Sequence, residues 1–299
     1  MSQLLKITIL LYGLLIHAIP AFSQASMQKN RFYIALGPLL STEHFHWSIA
    51  GNEQGTQPDI LSELNFNRLK QTGFCFEGRY QLSNRFDLKA TVERQYGYAG
   101  RVTDIDYAGN GRSFPVAFLK FRSRKHNARD YRAQCSYLLF QSPVVSVATG
   151  AGYFISNAGY RMQGRSAADI KGIYDAQWQG PLLDVETRIR LPQNWEIRAD
   201  IGSQYHTFRA EGDWRLRSEF RHPLSFVHHA SGWGINGLVA LNYQLSARVG
   251  LQLKGSLQQW KTGAGSDLLY MADNREVSTR MNESVKTQLG VGLEGVFGF

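Results

Sequence analysis

Alternation constrains this chain more than any other feature. "NRFDLKATVE" sets Phe86, Leu88, Ala90 and Val92 against Asp87, Lys89, Thr91 and Glu93. "LLDVETRIRL" sets Leu183, Val185, Ile189 and Leu191 against Asp184, Glu186, Arg188 and Arg190. "NWEIRADIGSQ" and "ARVGLQLKGS" repeat the pattern, with Trp195, Ile197, Ala199 and Ile201, then Val249, Leu251 and Leu253, on the apolar side. A strand turns successive side chains to opposite faces, so a strict period of two over such lengths reads as half-buried β-strand. The polar face carries both signs of charge, strand after strand. A soluble sandwich with charges toward water satisfies this. So does a closed barrel with its apolar face toward lipid and its charges inside. Alternation alone leaves both open.

Three further features favour the barrel. The chain ends on "VKTQLGVGLEGVFGF", which alternates to the final residue and places aromatics at Phe297 and Phe299. It begins with Lys6, an apolar run from Ile7 to Ile19, Pro20 and then the small-residue stretch Ser23-Gln24-Ala25. That run is short for a membrane helix and reads as a secretory leader, removed after Ala25. No later apolar stretch is long enough to span a bilayer as a helix. Finally, the connections alternate in length. Short turn signals occur at "QLSNRF", "FQSPV", "LPQNW" and "QLSAR". Longer polar stretches lie at about Ala50–Asp59, Arg101–Lys120, Gln163–Ile170, Gly212–His222 and Gly263–Met281. Four short turns and five long loops predict ten strands over residues 26–299, with short turns in the periplasm and long loops outside. The predicted fold class is an all-β, antiparallel, transmembrane ten-stranded barrel. The stretch from Asn84 to Arg101 greatly exceeds the roughly 9–11 residues a crossing needs, so the barrel should stand tall above the outer leaflet.

Charge and cysteines narrow the partners. The formal charge of +9 falls to +8 when Lys6 leaves with the leader. A basic balance suits anionic surroundings, and export makes nucleic acid the poorest of these. Cys75 shares a polar face with Glu77 and Arg79, whereas Cys135 shares an apolar face with Ala133, Tyr137 and Leu139. With a strand between them they are about two strand spacings apart, too far for a disulfide. Two free thiols, no metal site and no cofactor are expected.

Two aspartates, Asp104 and Asp106, stand one residue apart in "YGYAGRVTDIDY", ahead of a glycine-containing turn. Acids in such a place are most often turn formers. In the rim of a tall barrel they acquire a second meaning. "YGYAGRVTDIDY" and "LSELNFN" (Leu61 to Asn67) resemble two segments of the omptins, outer-membrane endopeptidases of Gram-negative bacteria. One omptin segment ends in Asp-x-Asp-Trp; the other, Ser-x-Leu-Asp-Trp-Lys, opens the second strand. The likeness covers most of the chain in topology and only short patches in sequence. It implies that Asp104 and Asp106 are a catalytic pair, facing an aspartate–histidine pair across the barrel mouth. Two close carboxylates cannot both ionise cheaply, so one retains a proton, while a histidine accepts the proton of the attacking water.

The resemblance places the second pair in "YHTFRAEGDWRLRSEF", where the family has Asp-Asn-Asp-Glu-His. Matching acid to acid makes Asp213 catalytic and Glu211 substrate-binding, and puts Arg215 at the histidine position. Arginine stays protonated and cannot serve as base. His206, His222, His228 and His229 are near, none at the matching spacing, and only a rearranged loop would bring His222 across. Glu43 is the candidate for the family's acidic specificity pocket. Arg122, Arg124 and Lys125, with Arg161 on the next strand, form a basic cluster suited to lipopolysaccharide phosphates. The terminal Phe299 resembles the signal read by the barrel assembly machinery. Three functions follow: an endopeptidase weakened or lost, possessing a partial site; a surface barrel acting as adhesin or ligand binder; and a small pore, ranked last because mixed lumen charges pair and plug.

Overall fold

The computed structural model describes residues 31–299 apart from Ala167, so the leader expected over residues 1–25 lies outside the described residues. Twelve strand segments follow one another: β1 (Phe32–Ile49), β2 (Ser62–Gln81), β3 (Phe86–Gly109), β4 (Ser113–Arg122), β5 (Asn127–Gln141), β6 (Val145–Gln163), β7 (Ile170–Arg190), β8 (Trp195–Trp214), β9 (Phe226–Gln244), β10 (Val249–Thr262), β11 (Gly265–Tyr270) and β12 (Glu276–Gly298). Every pairing among the described residues is antiparallel, and β1 pairs with β12 from Tyr33↔Gly298 upward, which closes the barrel. A closed barrel has no edge in the bilayer, where unpaired backbone groups are costly.

Twelve segments occupy ten barrel positions. β4 and β5 both pair with β3, at its upper and lower parts, and β10 and β11 divide β12 in the same way. Two of the expected long loops, over 101–120 and 263–281, are therefore largely strand hairpins that extend the wall upward. Their polar residues resemble loop composition because they face a wet cleft and open solvent rather than lipid. The other connections keep the expected lengths, and β3 reaches 24 residues.

The faces are inverted relative to a soluble protein. Ile201 and Leu183, from the apolar sides read above, are 72% and 61% exposed, whereas Arg198, Glu186 and Lys254 are buried. Exposed Leu and Val side chains form the outer band, bordered below by Trp195 and Tyr243 and above by Tyr205 and Trp233, both ring pairs in contact. Such aromatic girdles mark the membrane interfaces. Phe299 lies against Phe32, ring centroids 6.1 Å apart, where the last strand meets the first. Both cysteines are free, Cys75 buried inside and Cys135 exposed outside, as read from the alternation.

The interior is filled. In its lower half Arg198 bonds Glu77 at 2.7 Å, Arg79 bonds Glu186 at 2.8 Å and Lys254 pairs with Glu294 at 2.6 Å. Buried charges are tolerable when paired this closely. Above them sits an apolar layer that includes Phe45, Phe66, Tyr160, Tyr174, Trp178 and Trp260. Lys286 is fully buried in that layer, with the Trp260 and Trp178 rings 4.6 and 5.1 Å away.

A phase change separates the membrane wall from the rim. Below Gly97 the even residues of β3 face out, as with Val92 and Tyr96. The ladder between β2 and β3 then slips between Asn67 and Gln71, opposite Gly97 to Arg101, and Arg68 takes a positive φ of 50°. A bulge adds a residue and swaps the faces. Above it the even residues Val102 and Asp104 are buried.

Candidate functional site

The bulge is what turns Asp104 and Asp106 inward. They stand on the inner face of the β3–β4 hairpin, opposite Leu119 and Ala117 on β4. Across from them lie Trp214, at the end of β8, and Leu216, Arg217 and Glu219 from the following loop; together these line a cleft of about 290 Å³. The loop is pinned at its base by Ser225 N–H donating to Gly212 O at 2.7 Å and by the Ser225 hydroxyl accepting from Trp214 N–H at 2.9 Å. The β11–β12 hairpin supports its far side: Ala272 N–H donates to Glu219 O, and the Arg221 guanidinium lies 4.0 Å over the Tyr270 ring.

Asp104 is only 5% exposed, and its Oδ1 is buried with no hydrogen-bond partner among the described residues. Burial, and then the adjacent Asp106 charge, push its pKa up to about 7, against the opposing pull of Arg217 and the Ser62 hydroxyl. It is therefore a carboxyl that exchanges its proton near neutrality. Asp106 is held instead by an ion pair, Arg217 Nη2 to Oδ2 at 3.0 Å. Arg217 also reaches Glu219 at 3.5 Å.

Asp213 does receive a histidine, but from nine residues on. His222 Nδ1 lies 2.7 Å from Asp213 Oδ1, while Arg215 Nε donates to Oδ2, also at 2.7 Å. Arg215 is thus the partner of the acid, at the position matched to the family's histidine, and the aspartate–histidine contact is made by a residue whose spacing in the chain gives no sign of it. The other ring nitrogen, Nε2, stands 3.3 Å from Arg217 O. A carboxylate and a carbonyl are both acceptors, so only the doubly protonated ring donates to both. Asp213 and His222 are not among the residues that line the cleft, although His222 reaches the carbonyl of Arg217, which is.

The remaining candidates lie elsewhere. Glu43 is fully buried inside the barrel, accepting from Tyr160 Oη at 2.6 Å and 3.5 Å from Lys286 Nζ, below the cleft rather than in it. Glu211 faces outward and pairs with Arg209 at 2.7 Å. Both border an outer concavity of about 480 Å³ on the wall, which also takes in Arg129, Arg161 and Asp175. Arg161 is tied to Asp175 at 2.6 Å. Arg122, Arg124 and Lys125 are exposed at the same level of the wall. No group of three or more metal-ligating side chains occurs among the described residues. Sequence reasoning missed Arg217 and Glu219; an Arg-x-Glu in a loop gives no signal until the fold sets it over the acids.

The sequence profile of the family described as Protochlamydia outer membrane protein, Pom, matches residues 41–294. This chain belongs to the Pom family. Its fold is that of an omptin-like barrel. The outer membrane protease OmpT of Escherichia coli superposes with a TM-score of 0.68 over 93% of this chain and 99% of its own, at 13% identity. OprG of Pseudomonas aeruginosa aligns over 92% of this chain and 99% of its own at 8% identity, with a TM-score of only 0.39, too loose to bear on function. No curated protein matches the sequence. A Pom protein of this build resides in the bacterial outer membrane, with its apolar band in lipid.

Proposed function

We propose that this Pom barrel binds extended peptides in the rim cleft and hydrolyses them weakly, restrained by its own Arg217. One observation carries the reading. Arg217 reaches both halves of the apparatus, its guanidinium on Asp106 and its carbonyl on His222 Nε2. Asp104, buried and able to exchange a proton near pH 7, is suited to polarise a carbonyl or a water. His222 is suited to accept the water's proton once Nε2 is freed, with Asp213 holding the ring from behind. While Nε2 donates to the Arg217 carbonyl, that base is already occupied.

The test uses the refolded full chain and a quenched fluorogenic peptide with a central pair of arginines. Slow turnover is expected for the native chain. Arg217→Gly keeps the backbone carbonyl but removes the guanidinium that ties this loop to Asp106; it should raise turnover by about tenfold or more as the loop loosens from His222, and adding Asp104→Asn should abolish the gain. Protease-like rates in the native chain would refute restraint by Arg217. No turnover in either chain would leave a ligand-binding surface barrel.

The exposed Arg122, Arg124 and Lys125 support contact with lipopolysaccharide phosphates just above the lipid band. A pore has less support, because paired charges and the aromatic layer occupy the lumen.

A further inference from the structure

Above Arg122, β4 has no neighbour on its far side. Among the described residues it pairs with β3 along its length and meets β6 only at Arg122↔Gln163. Its backbone groups that point away from β3 therefore have no strand to bond, with an N–H missing at Pro115 and a continuous edge from Ala117 to Phe121. Large apolar side chains are open along this edge strand: Phe118 on its outer face, and Val116 and Phe114 at and beyond the bulge where the ladder slips, are 55%, 67% and 75% exposed. The row is not a part of the lipid band. Tyr96 is near the top of that band on β3, and Ile105, the partner of Phe118, lies about 30 Å further along the strand at ~3.3 Å per residue. Exposed Arg101, Lys120, Arg122, Arg124 and Lys125 fill the interval. Pro115, the bulge and Lys120 guard parts of this edge, and the stretch around Phe118 is left open as a template for another strand.

We infer that the free edge of β4 is a docking strand for an extended peptide, which adds to the sheet and runs along the mouth of the acid cleft. The inference rests on reading that cleft as a peptide site. The inner face of the same hairpin carries Asp104, Asp106, Ala117 and Leu119. Side chains of an added strand alternate. One set would point toward the acids, and the other would lie beside Phe118 on the outer face. The cleft holds three carboxylates, those of Asp104, Asp106 and Glu219, with Arg217 as the only cation lining it. A peptide bearing a cationic side chain at the central position is complementary to it. A second copy of this chain fits poorly. Two copies in one membrane share one orientation, and with strands tilted about 35–45° their β4 edges would cross rather than pair. Main-chain pairing with alternate side-chain pockets is the recognised mode of strand addition.

The experiment measures fluorescence anisotropy of a labelled peptide that alternates valine and threonine around one central arginine, titrated with the refolded full chain in detergent. Saturable binding is expected. Two further peptides carry N-methyl groups on alternate backbone nitrogens, one on each set. One set faces β4 and the other faces away, so one peptide should weaken by about tenfold or more and the other change little. Val116→Pro should weaken the parent peptide similarly, and the methylated peptides keep the test sound if that variant misfolds. Absence of binding, or equal binding by the two methylated peptides, overturns the inference. So does a dimer by analytical ultracentrifugation that Val116→Pro dissolves. Register-sensitive binding without hydrolysis would sustain the docking edge and sink the hydrolytic reading; hydrolysis indifferent to methylation would do the reverse.

Discussion

His222 and Asp213, nine positions apart in the chain, meet at 2.7 Å because the loop after β8 folds back on itself over Ser225. The contact supplies the acid with a histidine where the matched position holds Arg215. Asp213→Ala removes the anchor of both Arg215 and His222. Hydrogen exchange over 215–225 should quicken, and any turnover gained by Arg217→Gly should vanish. Unchanged exchange in that loop would show that Asp213 does not hold it.

The pH response of Asp104 has a fixed sign. Its folded pKa, about 7, lies above the ordinary 3.8, so between those values the folded chain binds more protons than the unfolded one. Stability at this group is then fully present below pH 3.8 and declines as pH rises toward 7, with a slope of at most about 1.4 kcal/mol per pH unit. Asp104→Asn should remove that slope in urea unfolding of the refolded barrel. An isotope-edited infrared titration should find the carboxyl half-protonated near pH 7, and a midpoint near 4 would refute the burial argument.

Glu43 is the counter-charge of a fully buried lysine. Glu43→Ala leaves Lys286 between two tryptophans with no carboxylate, and should cost about 3–5 kcal/mol, the usual consequence of stranding one member of a buried pair. Adding Lys286→Met should recover much of the loss. Urea midpoints of the two variants decide this, and cleft binding by the double variant should persist, because neither residue lines the cleft.

Gly97 sits at the bulge that turns the acids inward. A Cβ there would lie 2.0 Å from the His126 ring, which is itself buried and cannot swing away freely. Gly97→Ala should destabilise the barrel by about 1–3 kcal/mol through overpacking, and should weaken anything bound at Asp104 and Asp106. An unaltered denaturation midpoint would mean that the ring moves aside without cost.

The filled lumen makes a prediction for planar bilayers. The native chain should give no steady single-channel conductance, since the ion pairs of Arg198, Arg79 and Lys254 lie below a continuous aromatic layer. Stable, voltage-independent openings would show that the layer is not closed in the membrane.

Much of the wall was written in the sequence. Leu183, Ile201 and Leu253 alternate with Asp184, Arg198 and Lys254 at a period only strands possess, and lipid outside with charge inside is the arrangement that the terminal strand and the turn rhythm favour. Asp104 and Asp106 were legible as a pair for the same reason, since residues two apart on a strand share a face. Which face they share was not legible. It depends on one extra residue near Arg68 and Gly97, and a bulge changes register without leaving a mark in composition. The strand character of 101–120 was hidden similarly, because inward residues that line water resemble a loop.

Periodicity is local, so the sequence by itself determined most of the wall strands and which residues share a face there, and the turn rhythm added the number of barrel positions. The tertiary structure decided what meets across the mouth: Arg217 on Asp106, His222 on Asp213, and β4 left without a neighbour. Arg217 and Asp106 are far apart in the chain and meet only when the barrel closes, while His222 and Asp213 meet through a loop whose course no repeating pattern specifies.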